Sequence, residues 1–470
     1  MKVNHNMSAV VTNAQLLKTE NSLAASMERL SSGFKINHAK DDPSGIAITN
    51  KMQAQIDGLS KASEGSSNGI SVLQIADSAL GEITNILQRM RELSVQAVTD
   101  TNQLDERSAI QEEIKSLAAE VDRISKDTEY NAKKLLNGSA DTRVYADGVS
   151  RISISDQVIT GTYELSITSA ATQTSVLSRT QNGTIPEGTI EINGVVVEIN
   201  AGEDADTVFK KLRECADIAD VKLFVTDGTR AQYPDTNVYT EVDKAFAYGD
   251  RIAFVSNQYG YTSNVEITCD NPALEQFLGL GTAPTAGQDA EITTGLNSPF
   301  SSPTITTDGN RIHVSDKGGF EMDFLVEAGK TGKVALEVTD IGRITVQTGA
   351  NAYQMVQVRI PEVSAQMLYL DEIDVRRVNG DKAIPILDEA IATVSSVRSG
   401  VGAYQNRLET IVESLDASNE DMTQAISRIG DTDMAKEMTE YTKYSVLQQA
   451  ATSVLAQAND IPQTVLQLLQ

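Results

Sequence analysis

The chain has no tryptophan, and aromatic residues make up only 5% of its 470 positions. Large catalytic domains usually fill their cores and pockets with aromatic surface, so this scarcity argues against an enzyme. Cysteine is nearly absent. Cys215 and Cys269 are the only two. They form neither a CxxC pair nor a metal-spaced set, and they read as unpaired thiols packed as small apolar side chains, with a disulfide as the alternative. Histidine occurs only at His5, His38 and His313. There is no HExxH, and a two-histidine metal site in the middle of the chain is excluded by count. No cofactor is implied. Basic residues are outnumbered, 39 to 65, for a net charge of −26. Nucleic acid and anionic membranes are therefore poor partners. No run approaches the roughly 18 apolar residues that span a bilayer, so no membrane insertion is expected. The first ten residues lack the apolar core and small-residue cleavage site of a Sec-type signal, which leaves open export routes that do not cleave the chain. Gly279-Leu-Gly281 lacks the strand–GxGxxG–helix context of a nucleotide site and reads as a loop.

What the chain does have is a seven-residue apolar repeat at both ends. Ala76, Ile83, Met90 and Ala97 form one track, with Leu73, Leu80 and Leu87 beside it. Toward the C-terminus the spacing returns as Val394, Val401, Leu408, Leu415, Met422 and Ile429. Such a narrow stripe needs a partner helix, so the two ends should pair with each other. Leu16, Leu23 and Leu30, with Val10, Leu17 and Ala24, extend the pattern to the N-terminus. Breaks are expected at Ser31-Ser32-Gly33 and before Pro43, whose ring clashes with a preceding helical turn. Three further helices are expected: about 44–61, about 70–99 after Ser66-Ser67-Asn68-Gly69, and 105–126.

From Asn137 the period changes to two. Stretches beginning at Arg151, Tyr163, Thr189, Val195, Val221 and Ile252 alternate apolar and polar residues, as half-buried strands do. Asn193-Gly194 is a hairpin signal, and one helix is expected over about 205–218. Helix resumes near Pro385 and breaks around Gly430-Asp431. The fold class is therefore α+β and multidomain. Its coiled-coil core and rod are discontinuous, built from paired N- and C-terminal parts, with a mainly β outer domain inserted between them.

The outermost arms carry opposite charge, +3 over residues 1–40 and −3 over 421–470. The C-terminal arm is also crowded with Leu447, Val454, Leu455, Ile461, Val465, Leu466, Leu468 and Leu469. A two-helix arm with so much apolar surface expects neighbours from other copies. The alternative is an ordinary coiled coil closed within a monomer. Leu16, Leu23, Leu30, Leu447, Val454, Leu455, Val465 and Leu468 are the expected polymerisation contacts.

The chain also resembles bacterial flagellin. The resemblance runs through Val3-Asn-His-Asn, Leu30-Ser-Ser-Gly-Phe-Lys-Ile-Asn, Ala39-Lys-Asp-Asp-Pro-Ser-Gly and Leu87-Gln-Arg-Met-Arg-Glu-Leu-Ser-Val-Gln. It resumes in Gly402-Ala-Tyr-Gln-Asn-Arg-Leu, Ser427-Arg-Ile-Gly-Asp-Thr-Asp-Met-Ala and Val454-Leu-Ala-Gln-Ala-Asn. Pro43 stands where the family usually has Ala, and Gly430 sits in a segment that is normally more charged. The middle is similar to the small repeat of flagellin and hook-associated outer domains. The segment from Thr348 to Ile360 is similar to the returning hairpin of the rod.

The resemblance implies three layers: an inner core of 1–43 and 424–470, a rod of 44–175 and 342–423, and an outer domain of 176–341. It implies a helical homopolymer for motility, export unfolded through the flagellar type III apparatus, and a chaperone on the C-terminal arm. Filament cap and hook-junction proteins are implied as neighbours. A hook–filament junction protein of the same helical family is the alternative. Gln88, Arg89, Leu93 and Gln96, with Glu113 on the next helix, match the segment read by the host Toll-like flagellin receptor. Arg89, Leu93 and Gln96 are spaced at i, i+4, i+7 and are expected to share an exposed face. Serine and threonine clusters over 172–180 and 298–307 are possible O-glycosylation sites, with unmodified turns as the alternative.

Overall fold

Helix α1, Met7–Ser32, ends where Gly33 takes the left-handed conformation (φ 77°) and donates its N–H to Arg29 O. Glycine adopts that conformation without a Cβ clash. Helix α2, Pro43–Val98, starts on a proline. Asp42 caps it by accepting from the N–H groups of Ser44 and Gly45 at 3.0 and 2.9 Å. The other helices are α3 (Leu104–Asp127), α4 (Ala205–Ile218), α5 (Pro272–Leu278), α6 (Ala383–Gly430) and α7 (Met434–Leu468). The computed structural model describes residues 6–99, 102–155, 157–179, 184–226, 251–281, 283–294, 299–376 and 382–468. The chain forms two compact units: Met1–Ile70 with Val346–Val356 and Asn406–Gln470, and Ser71–Thr345 with Gln357–Gln405.

In the first unit α1 and α7 run antiparallel. Asn6 Nδ2 donates to Ala458 O at 2.7 Å, and Ser26 Oγ donates to Glu437 Oε1 at 2.6 Å. The breaks after α1 and α6 are stitched together. Lys35 N donates to Gly430 O, and Thr432 N donates to Gly33 O. The N-terminal part of α2 meets the C-terminal part of α6 in the same sense, with Ser63 Oγ donating to Asp416 at 2.9 Å.

The helix boundary expected at Ser66–Gly69 does not exist, because α2 is continuous. A Cβ at Gly58 would lie 2.9 Å from Ala350 Cβ, and one at Gly69 would lie 3.1 Å from Val346. These glycines, with Gly65 between them on the same face, admit the 346–356 hairpin against the helix. Small residues that read as a loop are thus a packing face, and tertiary contact outweighs their low helix propensity.

In the second unit Arg398 Nε donates to Asp77 at 3.0 Å and Arg91 Nε to Asp388 at 2.6 Å, so α2 and α6 are again antiparallel. Leu73, Ala76, Leu80, Ile83, Leu87, Met90 and Ala97 are buried on α2, and Val394 and Val401 on α6. Helix α3 adds Ile114 and Val121. Its buried Gln111 donates to Ile373 O and accepts from Val375 N, both at 2.8 Å, which fixes the chain leading into α6.

The β part of this unit is antiparallel, and among the described residues it has a small cluster of Phe224, Ala253 and Val255 and two large cores. One lies between two three-stranded sheets, ordered Gln173–Arg179, Arg251–Tyr259, Val221–Thr226 and Ile267–Cys269, Gly188–Ile192, Val195–Ile199, with α4 and α5 packed on it. Asn193 and Gly194 both have positive φ (46° and 87°), as the expected tight hairpin requires. Cys215 and Cys269 are both free thiols, the first buried and the second half-buried. The other core is a sandwich of two four-stranded sheets. There Gly161–Ser169, expected in the rod, pairs with Gly332–Val338, expected in the outer domain. Val149–Ile154 likewise pairs with Phe320–Val326. The segment 144–169 therefore belongs with 291–338, and the expected boundary at 175/176 does not separate two sheets. Local alternation identifies these strands but not partners more than 150 residues away.

Candidate functional site: the terminal helix pair and the Arg89 face

The seam between α1 and α7 follows the 3–4 spacing of a coiled coil but is filled unevenly. On α1 the inward positions are Ala9, Thr12, Leu16, Thr19, Leu23, Ser26 and Leu30. On α7 they are Glu437, Tyr441, Tyr444, Gln448, Ala451, Leu455 and Ala458. Leu16 is buried, and Leu23, Leu30 and Leu455 are half-buried. Every second position on α1 is small or hydroxylated, so the pair has little apolar surface of its own to close over.

A second track at the same spacing points outward. Val10 and Leu17 on α1 and Leu447, Val454 and Ile461 on α7 are exposed, Leu447 by 45% and Val454 by 50%. Val11, Met27 and Val446 add to these faces. The side chains of Val465 and Leu468 lie outside the described residues. Of the expected contacts, Leu447 and Val454 face solvent, while Leu16, Leu23, Leu30 and Leu455 hold the pair together.

Sequence reasoning missed the polar contact in the seam. Glu437 is buried and accepts from Ser26 Oγ, with Arg29 Nη1 3.8 Å away. An acid and a hydroxyl at inward heptad positions were the available signal. A buried carboxylate so placed favours one register of the two helices, because slippage would strand it without a donor.

The second candidate face lies on α2 and α3. Gln88, Arg89, Gln96 and Glu113 are exposed. Arg89 Nη2 donates to Glu113 Oε1 at 3.0 Å, and Arg89 Nη1 lies 3.4 Å from Glu92. The hydrogen bond to Glu113 holds the guanidinium pKa above its ordinary value. Leu93 does not join this face. It is 2% exposed, so the expected shared face is corrected. Arg89–Glu113 joins α2 to α3 here and Arg91–Asp388 joins it to α6, and a helix with two neighbours buries a wider apolar stripe than two heptad tracks supply.

Among the described residues no group of three or more His, Cys, Asp or Glu is placed to hold a metal ion. No described helix is long and apolar enough to cross a membrane.

Comparison with known proteins agrees with the helical ends. Residues 3–141 match the bacterial flagellin N-terminal helical region, and residues 384–469 match the bacterial flagellin C-terminal helical region. The chain is 32% identical over 471 residues to flagellin D of Vibrio anguillarum, covering 100% of this chain and 99% of that protein. It is 32% identical over 461 residues to a flagellin of Clostridium tyrobutyricum, covering 98% of this chain and 99% of that protein. Among solved structures, flagellar hook-associated protein 3 of Legionella pneumophila aligns over 82% of this chain and 98% of its own. The identity there is 12% and the TM-score 0.31, an overlap too weak to argue from. With matches at both helical ends and relatives collinear over its whole length, the chain belongs to the bacterial flagellins, the non-enzymatic structural subunits of the extracellular flagellar filament that drives motility.

Proposed function

We propose that this flagellin polymerises through the outward tracks of α1 and α7. The observation that carries the reading is the exposed seven-spaced set Leu447, Val454 and Ile461 beside Val10 and Leu17. A monomer gains nothing from apolar residues at regular spacing on the solvent side of a helix pair. Burying each against another copy contributes about 1.5–3 kcal/mol. So read, the contacts are head-to-tail, and such contacts build an open helix where the rotation between copies does not close a ring. On this reading 1–43 and 424–470 form the inner core, which meets cap and hook-junction proteins at the filament's two ends. An exposed apolar arm also suits export as an unfolded chain through the flagellar type III apparatus, with a chaperone covering the C-terminal arm until assembly. Removing residues 451–470 tests it. The truncated chain is expected to stay a folded monomer and to fail to polymerise after heating and cooling, and filaments from it would refute the reading.

The α2–α3 face is proposed as the one read by a host Toll-like receptor, through Gln88, Arg89, Gln96 and Glu113, with Leu93 supporting them from within. Glu113 holds Arg89 ready for contact, and Arg and its neighbours are typical interface anchors. Arg89→Ala in monomeric protein is expected to weaken receptor signalling at least tenfold, as loss of an anchor worth about 1.4 kcal/mol or more would. Unchanged potency would reject the assignment.

A further inference from the structure

On one face of the β-sandwich in the second unit, the strand Val149–Ile154 carries a bulge. Asp323 pairs with Ser153 and Leu325 with Ser150, so Phe324 alone opposes both Arg151 and Ile152. Arg151 sits in this bulge with φ 52°, a left-handed conformation that such bulges usually give to glycine. Bulges re-aim side chains, and this one sends Arg151 off the sheet. Its guanidinium carbon lies 4.4 Å from the centre of the Tyr369 ring, within cation–π range. Arg311, from the strand Arg311–Asp316, stacks on the same ring at 4.8 Å.

Tyr369 is itself left-handed (φ 56°) and opens the short 3₁₀ turn Leu370–Glu372. The turn supplies the counter-charges. Arg151 donates to Asp371 at 2.8 Å and to Glu372 at 2.7 Å, while Arg311 is paired with Glu389 of α6. Arg151 is only 9% exposed. Burial pushes the Tyr369 phenol above its ordinary pKa, and the two guanidiniums oppose that shift.

Two non-glycine residues that meet each other, both in a sparsely populated backbone conformation, signal a contact that the surrounding structure sustains for a purpose. Most apolar residues of these strands point the other way, into the sandwich core. The face toward α6 is mixed, with Ser153, Asp323 and Glu321 beside Leu325. A cleft of about 960 Å³ remains there, lined by Tyr259, Tyr369 and Tyr404 among others. Incompletely filled joints of this kind permit motion of one part against another unless a few contacts restrain it.

We propose that Arg151, Tyr369 and Arg311 form a latch that fixes the β-sandwich to the helices of the same unit, and that breaking it frees the sandwich to move without unfolding it. The latch concerns this chain alone and does not depend on how filaments assemble. In the filament it would set how stiffly the displayed domain is carried.

The chain's lack of tryptophan provides the probe. Tyr369→Trp keeps an aromatic ring between the two cations, and its emission is expected to be shielded from acrylamide. Adding Arg151→Gly removes one cation and suits the left-handed backbone. The quenching constant should then rise roughly twofold or more as the ring loses a stacked guanidinium. Amide protection of Arg311–Asp316 and Phe320–Val326 should stay unchanged. Unchanged quenching would overturn the latch. Loss of strand protection would also overturn it, because Arg151 would then serve only the fold of the sandwich. Arg151→Gly in the otherwise native chain gives a second reading. Faster hydrogen exchange at Leu370–Ile373 is expected, and unaltered exchange there would count against the proposal.

Discussion

The terminal pair α1/α7 and the inner pair α2/α6 share the same heptad spacing but bury very different amounts of it. On α2, the seam from Leu73 through Ala76, Leu80, Ile83, Leu87 and Met90 to Ala97 is closed to solvent, with the hydroxyl of Ser94 turned to its own helix at Met90 O. On α1, Thr12, Thr19 and Ser26 alternate with the leucines of the seam, and α7 answers with Gln448 and a buried Glu437. A second apolar set of the arm, Leu17, Leu447, Val454 and Ile461 among it, lies on the outside. Periodicity alone therefore reports that a helix has partners, not how many or where they come from. The inner helices find theirs within the chain, while the arm's outward track stays exposed among the described residues.

Leu87→Ala and Leu447→Ala test this contrast most sharply. Leu87 is fully buried, so its truncation should cost the monomer about 2–5 kcal/mol in denaturant unfolding. Leu447 is largely exposed, so its truncation should change monomer stability by no more than about 0.5 kcal/mol while slowing filament growth in a seeded assay. Equal effects on the monomer would erase the distinction between the two pairs. Glu437→Gln should cost the monomer less than Leu87→Ala. It keeps an acceptor for Ser26 but removes the charge facing Arg29, a loss of about 0.5–1.5 kcal/mol confined to the arm. Hydrogen exchange that rises in α1 and α7 but not in α3 would confirm it, and a uniform rise would not.

The smallest effect is expected in α4. Burial pushes the Cys215 thiol up to about 11. A thiol with a raised folded-state pKa is favoured neutral. That part of the stability is complete below the unfolded value near 8.5 and is lost as pH rises from there through about 11. Iodoacetamide should thus modify Cys215 slowly at pH 8, more slowly than half-buried Cys269. Arm variants should leave that rate unchanged, so that any acceleration would show the arm and the outer core to be coupled.

Much of the helical architecture was legible in the residues because its signals are local. Gly33 stops α1 since no Cβ opposes its left-handed turn, and Asp42-Pro43 starts α2 by capping and a preset φ. Asn193-Gly194 dictates its hairpin for the same reason. The candidate receptor face was legible only in part. Exposed Arg89 and Glu113 stand where helical spacing puts them, yet Leu93 is buried, and burial depends on neighbours that spacing on α2 cannot report.

By itself, then, the sequence determined the heptad helices, their caps, the alternating strands and the motifs that place the chain among the flagellins. Each of these depends on neighbours a few residues away, through φ preference, capping or period. Only the tertiary structure decided that α2 runs unbroken past Gly58, Gly65 and Gly69, that 144–169 joins a sandwich with 291–338, and that Arg151 leaves its sheet to meet Tyr369. It also decided which of two equally spaced tracks in the arm closes the pair and which stays open. Those outcomes rest on contacts between residues up to hundreds of positions apart, where packing and charge pairing outweigh what the local chain prefers.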